Sequence, residues 1–514
     1  MISVPERNAI ILTANEVRPL KPELFERTMV TPDRKHVVVP YTLHSCAVLA
    51  RFGYRPEGPI RTQYSWPIRM GRKPFAHQVA TADFLTQNPR AFVFNEIGTA
   101  KTMSALWAAD YLMNVKSINK MLIVSPLSTL LRVWGDEIFC NFPHRSFAIL
   151  HGSRQKRLKL LAESHDFYII NPDGLKVIGK DIAARRDINA VIVDEGAVFR
   201  NSKTDVYKHL DIVAGVNSGR SLWWMTGSPM PQAPTDVWAQ ARMINPSLVP
   251  RYFSRFRDEV MVKVTQFKWV ARKGWEAKVY NMLKPSVRYK RDECIDLPPC
   301  TIENRQVDMS AQQKKAYTSM MNDLVIEMND GKITAANEGV KIGKLLQIAG
   351  GSVYNGDGET VELDCKPKVR ALIEEIESAG SKVIIFAAFK HIGSRLAKEL
   401  SAKFRTAEIN GDVPVRKRNN IFHDFQSGDL QVLVAHPQCM AHGLTLTAAH
   451  TVIWATPSPS YEHYEQANGR ITRPGQTVKQ TVVHLYTSEV EHRVYQRLAE
   501  KGSMQGLLLE LLTS

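Results

Sequence analysis

No apolar run in the 514-residue chain approaches the ~20 residues needed to cross a bilayer as a helix, so no membrane span is expected. The opening MISVPERNAI carries an early acid and lacks the basic-then-apolar order of a secretory signal. Cysteine is scarce and scattered: Cys46, Cys140, Cys294, Cys300, Cys365 and Cys439 form no C-x-x-C pair. That spacing argues against a zinc site or a disulfide framework and fits a reducing interior. Low-complexity tracts are lacking, as are repeats beyond two similar halves. Acids are outnumbered, 51 Asp and Glu against 67 Lys and Arg, for a net charge of +16. The imbalance points to a polyanionic partner, nucleic acid ahead of a membrane surface, although a solvated basic face carries the same charge. With 44% hydrophobic and 23% charged residues, the chain can build two or three cores.

What is present is concentrated between Phe92 and Thr102. Ala91 to Phe94 reads as a buried strand, Gly98-Thr99-Ala100-Lys101-Thr102 as a turn, and Met103 to Val115 as a helix with Leu106, Trp107, Tyr111 and Leu112 on helical spacing. This is the layout of a phosphate-binding loop. Backbone N–H groups at the helix N-terminus face an anion, Lys101 adds a point charge, and the Thr102 hydroxyl suits Mg²⁺. Glycine usually stands where Asn95 and Ala100 are found, and Ala100 puts a Cβ beside the phosphate path; an ordinary strand–turn–helix is the competing reading. Gln78 lies about twenty residues upstream, and its amide can both donate to and accept from an adenine edge.

The apolar run Ala190 to Val193 ends in Asp194-Glu195. One acid at a strand's end can hold Mg²⁺ while its neighbour orients or deprotonates an attacking water. Two adjacent buried carboxylates repel one another unless a cation lies there; a strand-terminal pair that only caps the next turn is the competing reading. Met121 to Pro126, Tyr168 to Pro172 and Ser221 to Pro229 read as further strands with polar ends. Their alternation with helices describes a doubly wound parallel sheet with ligands at the strands' C-terminal ends.

Residues 1–72 read as an N-terminal accessory unit with short β-type runs, Ala9 to Leu12 and His36 to Val39. Its end, Arg51 to Lys73, has six Lys or Arg against one acid, with Phe52, Tyr54, Tyr64 and Trp66 interleaved. It is either a grip on DNA or a packing unit with a solvated face. Residues 242–291 hold thirteen Lys or Arg and three acids, a net of +10. Such cations neutralise backbone phosphates; Tyr252, Phe253, Phe256, Phe267, Trp269, Trp275 and Tyr280 are expected in a core rather than stacked on bases. Leu297-Pro298-Pro299 marks a boundary. A second alternating region follows, with strands Lys382 to Phe386, Gln431 to Ala435 and Thr451 to Trp454 and a helix from His391 to Leu400. It has no phosphate loop. It has Arg470 and Arg473, three apart on one expected helical face, placed as arginine fingers or as structural ion pairs.

In their order these motifs resemble the superfamily 2 helicases, and within them the SNF2-like DNA translocases, from about Pro74 onward. Gln78 resembles the adenine-reading glutamine, Gly98 to Thr102 motif I, Ser125-Pro126 motif Ia, and Asp194-Glu195 motif II. Thr226-Gly227-Ser228-Pro229 resembles motif III, Gly443 to Thr447 motif V, and Gln466 to Gln476 motif VI. The resemblance implies an α/β fold of two RecA-like doubly wound parallel-sheet lobes, 73–290 and 291–514, behind a small α+β addition. ATP and Mg²⁺ would sit between the lobes. Gln78, Gly98, Thr99, Ala100, Lys101, Thr102, Asp194 and Gly443 would hold the nucleotide, with Thr102 and Asp194 on the metal. Lys101, Glu195, Arg470 and Arg473 would carry catalysis, and Ser125, Pro126, Asn171 and Thr226 would face DNA. The implied function is a monomeric motor on double-stranded or branched DNA, working in the cytoplasm (a host's, if the chain is phage-encoded). A strand-separating or annealing helicase, and an ATP-gated DNA clamp, are the alternatives. Three features depart from the family: Ala100, Gly196-Ala197 in place of Ala-His, and the lack of long insertions or a histone-reading module. The compact layout resembles bacteriophage members and argues against nucleosomes as substrate.

Overall fold

A computed structural model describes residues 2–13, 28–32, 35–54, 56–69, 73–227, 229–230, 233–265, 269–294, 298, 300–329, 335–354, 359–440, 446–472 and 476–513. The first unit is an antiparallel sheet of β1 (Ile2–Val4), β2 (Ala9–Thr13), β3 (Met29–Val30) and β4 (His36–Pro40), in the order β1-β2-β4-β3. Strand alternation sends Ile10, Leu12 and Val39 inward, against Cys46 and Leu49 of the helix Leu43–Arg51. Thr42 caps that helix by accepting the Ser45 N–H at 3.2 Å.

Residues 56–69 pack against both this unit and the next: the Tyr41 hydroxyl donates to the Glu57 carbonyl at 2.9 Å and Gln63 Nε2 donates to Asn8 Oδ1 at 2.8 Å. Ile60, Tyr64, Trp66 and Ile68 pack into the hydrophobic core of the next unit. The Tyr64 hydroxyl donates to buried Asp110 at 2.6 Å, and the Trp107 indole donates to the Pro67 carbonyl at 2.7 Å. Buried Asp83 accepts from the Gly58 N–H at 2.8 Å and from Arg61 at 2.6 Å. The rings go inward because burying their large apolar surface is favourable, while Arg61 pairs with Asp83 and Glu57.

The next unit is built on β5 (Arg90–Val93), β6 (Lys120–Val124), β7 (Phe147–Ile149), β8 (Phe167–Ile170), β9 (Ile188–Asp194) and β10 (Ser221–Met225). It continues through a hairpin, β11 (Met261–Lys263) and β12 (Trp269–Ala271), to β13 (Ser286–Val287). Among the described residues, seven of these strands form a parallel sheet in the order β13-β5-β10-β9-β6-β8-β7. Covered on both faces, its strands are nearly continuous apolar runs. The two-residue period sends Phe92, Phe94, Val191, Val193 and Trp224 into one layer and Ala91, Val93, Ile192, Trp223 and Met225 into the other. Because β5, β10 and β9 are parallel neighbours, their C-terminal ends open side by side. Of the aromatics in 242–291, Phe256 and Trp275 are buried, and Trp269 and Tyr280 pack partly against the core. Tyr252 and Phe253 are not core, being 64% and 41% exposed, and Phe267 lies outside the described residues.

The last unit contains β14 (Cys300–Gln306), an antiparallel pair β15 (Ser352–Tyr354) and β16 (Thr360–Glu362), then β17 (Lys382–Phe386), β18 (Thr406–Ile409), β19 (Val432–Ala435), β20 (Ala449–Trp454) and β21 (Gln480–Tyr486). Six of these form a second parallel sheet, β14-β21-β20-β17-β19-β18. The chain thus adopts the expected α/β architecture of two RecA-like doubly wound sheets. Lys368 and Glu491, both with no side-chain exposure, pair at 3.1 Å and fasten the helix Glu489–Thr513 to the helix Lys366–Ala379. Lys368 also donates to the Ala455 carbonyl and Glu491 accepts the Thr487 N–H, so neither charge is left without hydrogen bonds. No helix among the described residues is long and apolar enough to cross a membrane.

Candidate active site

The chain leaving β5 turns through Gly98 (φ 94°) and Ala100 (φ 55°), and the helix Lys101–Asn114 begins directly after it. Ala100 therefore takes the left-handed conformation that glycine usually supplies, at a cost of roughly 1–2 kcal/mol. Asn95, the other departure, is explained by its side chain, which is buried and donates to Thr81 Oγ1 at 2.9 Å. Lys101 Nζ donates to the carbonyls of Asn95 at 2.8 Å and Glu96 at 3.3 Å. Thr102 is half-buried in the first helical turn. The helix Ala76–Gln87 is stapled to this loop at its start. His77 Nε2 lies 3.0 Å from the Thr99 carbonyl, and Gln78 donates to the Ala100 carbonyl at 3.4 Å while accepting the Phe75 N–H at 3.0 Å.

The acid pair emerges from β9, two strands from β5. Asp194 is buried, and its Oδ2 accepts from Ser125 Oγ at 3.0 Å and Trp134 Nε1 at 3.0 Å. Burial first, and then the charge of Glu195, push the Asp194 carboxyl above its ordinary range. The Trp134 hydrogen bond, the nearby Lys101 ammonium and the Ser125 hydrogen bond oppose that rise. Glu195 itself is held at φ 51°.

Ser125 had been expected at DNA. It has no exposure, and its hydroxyl lies 3.0 Å from Asp194 Oδ2 and 2.7 Å from Thr129 Oγ1, where it braces the acid. Asn171 and Thr226 are also buried, at 8% and 2% exposure, the former accepting from Arg157 at 3.4 Å; Pro126 is half-buried.

Gly196, where the family pattern has alanine, is set by Trp224 on the adjoining strand. A Cβ at this position would lie 2.2 Å from Trp224 Nε1, inside the indole. Ile97 of the loop is covered from two sides. A Cβ on Gly227, following β10, would meet Ile97 at 3.3 Å, and one on Gly469, from the second sheet's unit, would meet it at 3.1 Å.

The helix Tyr461–Asn468 stops before Arg470, so the expectation that Arg470 and Arg473 share a helical face is corrected: Gly469 ends the helix and Arg470 lies in the following turn. Arg470 is 2% exposed, and its carbonyl accepts the Leu446 N–H at 3.1 Å. Arg473 and Gly443 lie outside the described residues. In the same helix, burial, with Glu195 as the next contributor, pushes the Glu462 carboxyl up to about 7, which puts this helix within electrostatic reach of motif II. The sequence reading passed over Glu96, Trp134 and Trp224; no local pattern marks them, because their partners are distant in the chain.

A phosphate-binding loop beside a strand-terminal acid pair, with a second parallel-sheet unit against the loop, defines a two-lobed nucleotide hydrolase of helicase superfamily 2. Residues 76–349 match the SNF2-related domain and residues 367–475 the helicase conserved C-terminal domain. The chain belongs to the SNF2-related family and is an ATP-using enzyme of that superfamily. It is 24% identical over 466 residues to protein p41 of Acyrthosiphon pisum secondary endosymbiont phage 1, covering 86% of this chain and 98% of that one. It is 22% identical over 407 residues to the Xenopus laevis SWI/SNF-related matrix-associated actin-dependent regulator of chromatin subfamily A-like protein 1. That match takes in 78% of this chain but only 40% of the frog protein. Among solved structures it is similar to the Sulfolobus solfataricus SWI2/SNF2 ATPase core in complex with dsDNA, at 20% identity. The match covers 85% of this chain and 93% of that one, with a TM-score of 0.41.

Proposed function

We propose that this chain is an ATP-driven translocase on double-stranded DNA. The observation that carries the reading is the convergence on one loop: the Lys101 charge acts on buried Asp194, while Ile97 lies close enough to Gly227 and to Gly469 of the second unit that a Cβ on either would meet it at 3.3 and 3.1 Å. Hydrolysis at such a place can be passed on as a change in lobe spacing.

In this reading Lys101 and the N–H groups at the helix start bind the β- and γ-phosphates, Gln78 adjoins the base, and Glu195 orients the attacking water. Arg470 and Arg473 act from the second lobe, and Gly443 borders the nucleotide. Thr102 and Asp194 would hold Mg²⁺, which supplies neutralisation of phosphate charge. The fit rests on a buried acid next to a second carboxylate, both needing a counter-cation. Exposed Arg251, Arg255, Lys263, Arg272, Lys273 and Lys278 supply a basic surface for DNA phosphates.

The test is steady-state ATP hydrolysis by the wild type and by Glu195→Gln, each with no nucleic acid, duplex DNA, single-stranded DNA or RNA. Stimulation by duplex DNA that is lost in Glu195→Gln is the expected result. Stimulation by single strands alone would replace the reading with a strand-separating helicase. ATP binding without hydrolysis on any nucleic acid would replace it with an ATP-gated clamp.

A further inference from the structure

The segment that leads from the first sheet to the second is laid alongside the phosphate loop. β13 is the edge strand next to β5, and the pairing continues past both strands. The N–H groups of Phe92, Phe94 and Glu96 donate in turn to the carbonyls of Pro285, Val287 and Tyr289, at 3.0, 2.8 and 3.1 Å. The zipper therefore runs into the loop itself.

At its end Glu96 makes two further sets of bonds. Its carboxylate accepts from Arg288 Nη2 at 3.1 Å and from the Arg291 N–H at 3.0 Å. Its carbonyl accepts from Lys101 Nζ at 3.3 Å, from the Thr99 hydroxyl at 2.8 Å and from the Thr99 N–H at 3.3 Å. Arg288 is almost wholly buried, with 3% side-chain exposure, so the pair is partly shielded from water.

We propose that Glu96 is a positioning residue that transmits the state of the phosphate loop to the connector 288–291, and through it to the second lobe. A phosphate arriving at the helix N-terminus competes with the Asn95 and Glu96 carbonyls for the Lys101 ammonium. Losing that donor changes the balance of bonds at the Glu96 peptide, whose own carboxylate grips Arg288 and the Arg291 backbone. The connector then moves with the loop, because three ladder bonds and two carboxylate bonds join them. This inference rests on the reading of the chain as a DNA-stimulated ATPase.

Arg288→Gln and Glu96→Gln are the variants to make. ATP affinity would be followed by titration calorimetry with a non-hydrolysable analogue, and ATPase kcat with and without duplex DNA. Arg288→Gln is expected to keep its analogue Kd and its DNA-free turnover, and to lose about fivefold or more of the DNA stimulation of kcat, a coupling effect rather than a binding effect. Glu96→Gln, which keeps the shape and removes only the charge, gives the same loss if Arg288→Gln does not fold. Wild-type stimulation in both variants overturns the inference, as does a weakened analogue Kd that accounts for the whole loss. A wild-type chain that DNA does not stimulate overturns the functional reading itself, an outcome the wild-type measurement separates from the other two.

Discussion

Gly196 and Trp224 illustrate how one side chain dictates another across a sheet. β9 and β10 are neighbours, and the indole of Trp224 fills the space over the residue that follows Glu195. Phe199 packs edge-on against the same ring, with centroids 5.9 Å apart, so the ring has little room to withdraw. Gly196→Ala is expected to destabilise the first lobe by about 1–3 kcal/mol, the usual effect of overpacking. Because Glu195 is adjacent and already in the left-handed region, kcat should fall as well. Adding Trp224→Leu to Gly196→Ala makes room for the methyl group and should recover part of both losses. Urea unfolding and steady-state kinetics on the single and double variants measure the coupling, and strictly additive effects would refute it. The loss of the usual motif II alanine is thus a packing consequence, settled on the neighbouring strand rather than in the motif.

At the scale of elements, the parallel strands were legible because burial on both faces leaves uninterrupted apolar runs. Lys382 to Phe386 was read to the residue, and the runs ending at Asp194 and Trp454 were read to within two residues at their starts. The phosphate loop was legible because it follows directly from its strand. What stayed hidden depends on pairs distant in sequence: Ser125 with Asp194, Glu96 with Arg288, and Tyr64 with Asp110. A basic-aromatic stretch such as 56–69 has the same composition whether its rings face solvent or a core, so only the packing decides. The turn at Arg470 was misread for a similar reason, since helical spacing continues on paper past Gly469.

β21 carries a further consequence of burial. His484 is sandwiched between elements: its ring stacks on Tyr495 at 4.2 Å, Nε2 faces the Tyr464 hydroxyl at 2.9 Å, and Nδ1 faces Asn304 Oδ1 at 2.9 Å. That set suits a neutral ring, which accepts from the tyrosine and donates to the amide oxygen. Burial depresses its pKa from 6.5 to about 4. Between those values the unfolded chain binds the extra proton and the folded chain does not, so stability falls as pH drops through that window. The loss approaches about 3 kcal/mol below the lower value. Thermal unfolding of the wild type from pH 7 to 4 should show this decline, and His484→Gln should flatten it; an unchanged slope in the variant would assign the decline to other groups.

For the whole molecule, charge is concentrated rather than spread, with a net of +10 between 242 and 291 against +16 for the chain. Several of these cations lie on or beside an exposed hairpin, where Arg257 also stacks over Trp269 at 4.1 Å. If this surface follows the DNA backbone, each cation that meets a phosphate contributes to the salt dependence of binding. Arg255→Ala and Arg272→Ala should each reduce the slope of log K against log salt by about 1, while weakening binding similarly on unrelated sequences. Fluorescence-free methods such as filter binding at several salt concentrations suffice, and a slope unchanged in both variants would move the DNA to another face.

Trp134 carries one more consequence. Its indole N–H is bonded to the carboxylate that would hold the metal, and it is fully buried. An indole reports charge placed beside it through the wavelength of its emission, so this ring is an optical probe already wired to Asp194. Against the eight other tryptophans, the difference between the wild-type spectrum and that of Trp134→Phe isolates its signal. Arrival of a cation, or of a nucleotide that brings one, can then be timed by stopped-flow in the unlabelled protein, turning a structural brace into a clock for the first step of each cycle.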